Sequence, residues 1–328
     1  MIASFRAEFL KVRKRPATWL LLLIFVAIVG FAYFSSYAFA NAPIGEVSEG
    51  TVEETAAQAP PPGAETTVEG AIPPSDPPPG EEVPPEVEEQ MQAGQEAYNE
   101  AFLKSLYPEN LVANMFSGGI FSIGGALALI LGALVTGSEY GWGTLKTALT
   151  QRPGRLGTLF GKLLVFAVVI LVIVLVGFAA AALSSFIIAR LEEASVEWPS
   201  LSTFAEGFGA ASLIFVVWGM LGFALATLFR GTALAIGLGL AWVLAVENLI
   251  AGLAGPNSDN KTLETIRKAM PGENTFALSN YFGSPLPEEF ANPFQPLVEP
   301  ERAVWVLAAY AVGFILISAL LFWRRDAT

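Results

Sequence analysis

Residues 114–162 read NMFSGGIFSIGGALALILGALVTGSEYGWGTLKTALTQRPGRLGTLFGK, and the fold follows from that stretch. From Asn114 to Thr136 it carries no charge. A run of that length crosses a bilayer, which takes about 20 residues at 1.5 Å each. A polar break follows, from Gly137 to Arg155. It holds Lys146, Arg152 and Arg155, with Lys162 just beyond, against a single acid, Glu139. The chain turns apolar again at Leu163. A short basic loop between two spans belongs on the cytoplasmic side of the membrane.

Working outward, the same alternation repeats. The first 16 residues carry Arg6, Lys11, Arg13, Lys14 and Arg15, with Ile2, Phe5, Phe9 and Val12 at helical spacing. They read either as an amphipathic surface helix or as a basic topology signal, and both keep the N-terminus inside. A first span follows over 17–39. Ala38-Phe-Ala40 resembles a cleavage site, but the apolar run exceeds a signal-peptide core, so the segment reads as a retained anchor. Residues 40–113 form a large external loop. Its part from 41 to 85, with Pro60-Pro-Pro62 and Pro77-Pro-Pro79, is too polar to bury a core and reads as a solvated spacer, with a binding role as the alternative. Glu86 to Leu106 regains helix formers, and Tyr107-Pro108 ends them. The second span is 114–137, the cytoplasmic loop 138–162, the third span 163–189. Spans four, five and six are placed at 204–229, 232–253 and 303–323, with 254–301 as an outer segment holding a helix pair or re-entrant piece.

The charges agree with this order. Twelve of the eighteen basic residues fall in inside segments, together with only the acids Glu8, Glu139 and Asp326. The net charge of −12 is local: residues 41–110 alone hold 15 acids and one Lys. The fold class is therefore an all-α, polytopic membrane protein with six transmembrane helices and both termini cytoplasmic. A hydrophobic content of 53% and a mean hydropathy of +0.54 agree. There is no cysteine and no histidine, which excludes thiolate metal sites, His-Glu-x-x-His zinc proteases and Ser-His-Asp triads. No metal site and no nucleic-acid partner are expected.

Four features invite a chemical reading. Gly157-Thr-Leu-Phe-Gly161-Lys162-Leu163 resembles a phosphate-binding loop, but only three residues separate the glycines and Leu163 replaces the hydroxyl, so it is not one. Glu247 is an acid inside a span, which makes it a functional candidate. Counted from Arg230 it lies about 25 Å along the helix, near the outer surface, where an interfacial Glu paired with Asn248 or a neighbouring helix is the competing reading. Gly231, Ala235 and Gly239 stand four apart and permit close helix approach, either inside the subunit or against a second one. Trp19, Trp198, Trp218, Trp242, Trp305 and Trp323 read mostly as interface anchors.

Glu139, then Gly143-Thr144, then Pro153-Gly154-Arg155 is more particular than a generic loop. It resembles the first cytoplasmic loop of permeases in the type 2 ATP-binding-cassette exporter family, and the span order extends the resemblance over nearly the whole chain. The resemblance implies a coupling helix at about 142–150, braced by Glu139, which docks on a separate ATPase subunit. On that basis Trp142, Gly143, Thr144, Leu145, Lys146 and Leu149, with Arg152 and Arg155 beside them, meet the partner. The N-terminal helix would lie along the inner face beside it. The resemblance further implies a second permease subunit, in a homo- or heterodimer, with the Gly231/Ala235/Gly239 stripe as a contact. ATP and Mg would sit on the partner, the chain itself would perform no chemistry, and it would reside in the plasma membrane. The acidic Pro-rich insert and the 254–301 segment depart from the family pattern. A secondary ion-coupled carrier and a non-transporting scaffold are the other classes compatible with six spans. A carrier wants paired intramembrane charges and broken helices, and the sequence shows neither. A membrane-embedded enzyme would need convergent acids, His or Cys near one leaflet, and none cluster.

Overall fold

The computed structural model describes residues 2–42, 85–117, 120–141, 155–254, 260–290 and 295–324. Those residues form helices and turns with no strand. In chain order the helices are α1 (Ile2–Lys14), α2 (Pro16–Ala40), α3 (Pro85–Ser105), α4 (Leu111–Ser117), α5 (Ile120–Gly141), α6 (Arg155–Leu191) and α7 (Leu201–Phe229). They continue as α8 (Thr232–Ala241), a π-turn (Trp242–Val246), α9 (Glu247–Leu253), α10 (Lys261–Ala269), α11 (Pro271–Asn280) and α12 (Pro300–Arg324).

Among the described residues, five segments are long and apolar enough to cross a membrane: Pro16–Ala40, Gly157–Leu191, Leu201–Phe229, Thr232–Leu253 and Pro300–Arg324. Within α5, the apolar stretch among the described side chains is Ile123–Ser138. Its composition fits its position. α5 packs along α7 over most of its length and also touches α2, α6 and α8. Leu129, Leu131, Ala133 and Thr136 are buried. A helix enclosed by protein has less need of large lipid-facing side chains, and small ones let its neighbours approach.

The helix boundaries shift where turn chemistry overrides hydropathy. Within the apolar run expected as one span over 114–137, Asn114–Ser117 belong to α4 and the residues from Ile120 onward to α5. α6 has 37 residues, about 55 Å at 1.5 Å per residue, and begins at Arg155 rather than at 163. The polar start of this helix had read as loop. Between α1 and α2, Arg15 is extended (φ −81°, ψ 119°), as a residue before proline prefers, and Pro16 opens the next helix. Ser200 caps α7 by accepting the backbone N–H of Thr203 at 3.1 Å.

α7 is the central helix, with α5 on one side and α12 on another. The α5–α7 contact is made backbone to backbone. A Cβ on Gly132 would lie 1.8 Å from the Gly219 carbonyl oxygen, and one on Gly222 would lie 2.0 Å from that of Leu129. Aromatic rings fill the space around this seam. Phe25 meets Phe215 edge-on at 5.4 Å, and Phe178 meets Phe204 at 5.1 Å. Trp218, expected among the interface anchors, is 4% exposed and packs on Gly125, so it is a core residue.

The end of the bundle that carries the acidic charge is tied together by polar contacts. Ser185 Oγ donates to the Leu106 carbonyl at 2.6 Å, and Tyr37 OH donates to Glu192 at 2.7 Å. Phe116 stacks on Phe282 at 4.3 Å. The segment after α9 carries a helix pair, α10 and α11, one of the two forms expected for it. Arg267 Nε donates to Glu273 Oε2 at 2.7 Å, Arg267 Nη1 to the Ala254 carbonyl at 3.1 Å, and the Leu297 N–H to Glu273 Oε1 at 2.7 Å. Glu273 is almost fully buried, so its removal strands a cation and a backbone donor. Glu273→Ala should therefore loosen α10, α11 and the chain near Leu297, at about 2–3 kcal/mol. Hydrogen exchange should rise across 261–298 and stay unchanged in α7. Equal protection in both proteins would refute the clamp.

Candidate functional site

The candidate site lies at the basic end of the bundle, where α1, the end of α5 and the start of α6 converge. α1 was expected to turn Phe5, Phe9 and Val12 to one face. Instead Val12 and Glu8 are buried, Phe5 is half-buried, and Phe9 is 38% exposed. The inward face is thus 5, 8 and 12, with a carboxylate at its centre. The reason is Lys162, which is fully buried in α6. Its Nζ donates to Glu8 Oε2 at 3.1 Å, while Lys11 Nζ donates to Glu8 Oε1 at 2.8 Å. Buried charges persist when paired and hydrogen-bonded, and both oxygens of Glu8 are engaged.

Two further contacts lock the corner. Arg15 Nη1 donates to the Leu134 carbonyl of α5 at 3.0 Å, and Trp19 Nε1 donates to the Arg13 carbonyl at 2.8 Å. Ser138 Oγ donates to the same Leu134 carbonyl at 2.7 Å. This doubly accepting carbonyl lies about two turns before Gly141, where the described part of α5 ends. The N-terminal helix is thereby fixed to both helices that flank residues 142–154.

Of the residues expected to meet a partner, Trp142, Gly143, Thr144, Leu145, Lys146, Leu149 and Arg152 lie outside the described residues. Glu139 falls in the last turn of α5 and Arg155 opens α6, but their side chains are likewise outside the description. The structure therefore brings the two helix ends that carry them to the Glu8–Lys162 corner. Sequence reading missed that ion pair. Its available signal was one acid on the inner face of an otherwise basic helix, and one Lys just inside an apolar one.

The small-residue stripe of α8 is already used. Ala235 is fully buried in a cluster with Ala133 and Ala226, and a Cβ on Gly239 would lie 2.8 Å from Leu129. Those positions face α5 and α7 of the same chain, because helices this close need small residues between them. Gly231 is the N-cap of α8. Ala235 and Gly239 thus pack inside the subunit, one of the two readings that the spacing allows. Glu247, expected to pair with Asn248 or a neighbouring helix, takes the second course: Trp242 Nε1 donates to it at 3.0 Å and the Gly272 backbone donates as well. Asn248 instead caps the Leu244 carbonyl at 3.0 Å. Among the described residues no group of His, Cys, Asp and Glu could hold a metal ion.

An all-helical chain with several membrane-crossing helices, tied at one end by a buried ion pair, defines a multi-pass integral membrane protein. The family model for the ABC-2 family transporter protein matches residues 2–327, and the chain belongs to that family. It is an ABC transporter permease, a membrane transport component that is not itself catalytic. Comparison with curated proteins returns no match.

Proposed function

We propose that the chain is the translocating subunit of an ATP-driven exporter in the plasma membrane, coupled through its basic end to a separate ATPase subunit. α5 serves as the sixth span, and a second permease subunit completes the path. ATP and Mg belong to the ATPase. The observation that carries this reading is the buried Glu8–Lys162 pair, taken with the family match. It makes α1 and the start of α6 one mechanical unit beside residues 142–154. Movement imposed on that loop by a closing ATPase then passes into α6 and, through Arg15, into α5. ATP shifts the conformer population only through contacts that differ between the two states. A corner that holds both flanking helices is where such contacts would bite.

Co-purification tests it. A mild-detergent pull-down should recover a stoichiometric soluble ATPase with a phosphate-binding loop. Glu139→Arg and Gly143→Trp should leave the chain inserted and cut transport per ATP hydrolysed by about tenfold or more. Normal transport in both variants would show that this loop does not couple the two subunits.

A further inference from the structure

Glu247 has no countercharge among the described residues, since none of their ion pairs includes it. The nearby Arg267 is committed to Glu273 and the Ala254 carbonyl. The carboxylate is held only by neutral donors, Trp242 Nε1 and the Gly272 N–H. An unpaired acid within a span is costly, and a glutamine would accept the same two bonds without that cost.

The surroundings are shaped to hold it. The π-turn Trp242–Val246 inserts a residue into the helix just before Glu247, a distortion that is frequent at functional sites. The carbonyls of Val243 and Leu244 are taken up by Asn248 Nδ2 at 3.4 and 3.0 Å. Gly272 allows the carboxylate to seat on bare backbone, because a Cβ there would lie 1.8 Å from Glu247 Oε2. One aromatic ring borders the acid and a second lies in its field. Trp242 is 42% exposed, and Tyr310 stands within electrostatic reach of Glu247, with its hydroxyl donating to the Ala269 carbonyl at 3.0 Å. The outward surface of the same span is apolar, with Leu238, Leu244 and Leu249 exposed.

We propose that Glu247, Trp242 and Tyr310 form a binding site for the head group of an amphiphilic organic cation, entered sideways from the bilayer. An ammonium would supply the missing charge at Glu247 and sit against the faces of the two rings, while its alkyl tail lies along the exposed leucines. The same chemistry serves a transported cationic amphiphile or a phospholipid with an ammonium head. That the occupant is cargo rests on the exporter reading; that a cation binds does not.

The test uses the full chain in maltoside micelles, with dodecyltrimethylammonium as the probe and dodecanol as its neutral counterpart. The native chain should bind the cation saturably and prefer it over the alcohol. Glu247→Gln keeps an acceptor for Trp242 and Gly272, so thermal unfolding should be unchanged while cation affinity falls about tenfold. Trp242→Leu should weaken it several-fold, and neither variant should alter binding of the alcohol. Displacement of the probe by added phosphatidylethanolamine assigns the site to a lipid head; no displacement assigns it to a cationic amphiphile. Equal affinity of the native chain for cation and alcohol would overturn the proposal, whatever the variants do. So would unchanged cation binding in Glu247→Gln. Either failure leaves the ATPase coupling untouched, because no ATPase subunit is present in the measurement.

Discussion

Gly132→Ala should leave little folded protein. The added methyl would sit 1.8 Å from the Gly219 carbonyl oxygen, 2.8 Å from its carbon and 3.1 Å from the Phe223 nitrogen. All three are backbone atoms of α7, so no side chain can rotate aside, and the two helices must part. A Cβ on Gly222 would lie 2.0 Å from the Leu129 carbonyl across the same seam, and separation there would open the most extensive helix contact among the described residues. A cost of about 3 kcal/mol or more follows for an overpacked site that cannot relax. Gly30→Ala and Gly237→Ala are the controls, since nothing lies within 4 Å of a Cβ at either position. There alanine removes only the flexibility of a helical glycine, and stability should hold or rise by about 0.5–1 kcal/mol. Monodisperse yield and the midpoint of thermal unfolding in detergent read the difference. Similar values for Gly132→Ala and Gly30→Ala would contradict the α5–α7 seam.

Glu8→Ala should release α1 from α6. It takes an acceptor from a fully buried ammonium, and breaking such a pair from one side costs about 3 kcal/mol or more. Lys11→Ala breaks the other half of the same network, but the Lys11 side chain is 41% exposed and its loss should cost under about 1 kcal/mol. Limited proteolysis at Lys11, Arg13 and Lys14 should quicken in the Glu8 variant while α7 stays protected. Transport should fall with it, because α1 would no longer move with α6. If Glu8→Ala and Lys11→Ala prove equally mild, Glu8 is solvated and the corner is not a unit.

Hydropathy and charge placed most of this fold because the bilayer imposes them. The apolar runs at 17–39, 163–189, 204–229, 232–253 and 303–323 each fall within a helix that is long and apolar enough to cross. Contacts between distant elements were not legible. Glu8 and Lys162 are 154 residues apart, and neither had been read as the other's partner. Small residues at four-residue spacing occur in α5 as Gly124, Ala128 and Gly132, and again in α8. Spacing alone does not say which stripe meets a neighbour in the same chain. Trp218 looked like an anchor by residue type, yet its place in the middle of α7 puts it in the core. The 254–301 segment read as holding a helix pair or a re-entrant piece, but the Arg267–Glu273 clamp that fixes it leaves no periodic signature. At the candidate site the sequence singled out residues 139–155, and the structure contributes the helix ends and the ion pair beside them.

The chain has no cysteine, so single-cysteine cross-linking asks directly which end of the molecule meets the ATPase. Cysteine would be placed at Lys146, at Leu149 and, in α10 at the other end, at Ile266, which is 43% exposed. Native membranes carrying each variant would be treated with a short thiol-to-amine cross-linker. The account predicts an adduct of the chain with a phosphate-loop ATPase from Lys146→Cys and Leu149→Cys, strengthened by ATP, and none from Ile266→Cys. An ATPase adduct from Ile266→Cys alone, or none from any position in membranes that still transport, would contradict coupling at the basic end.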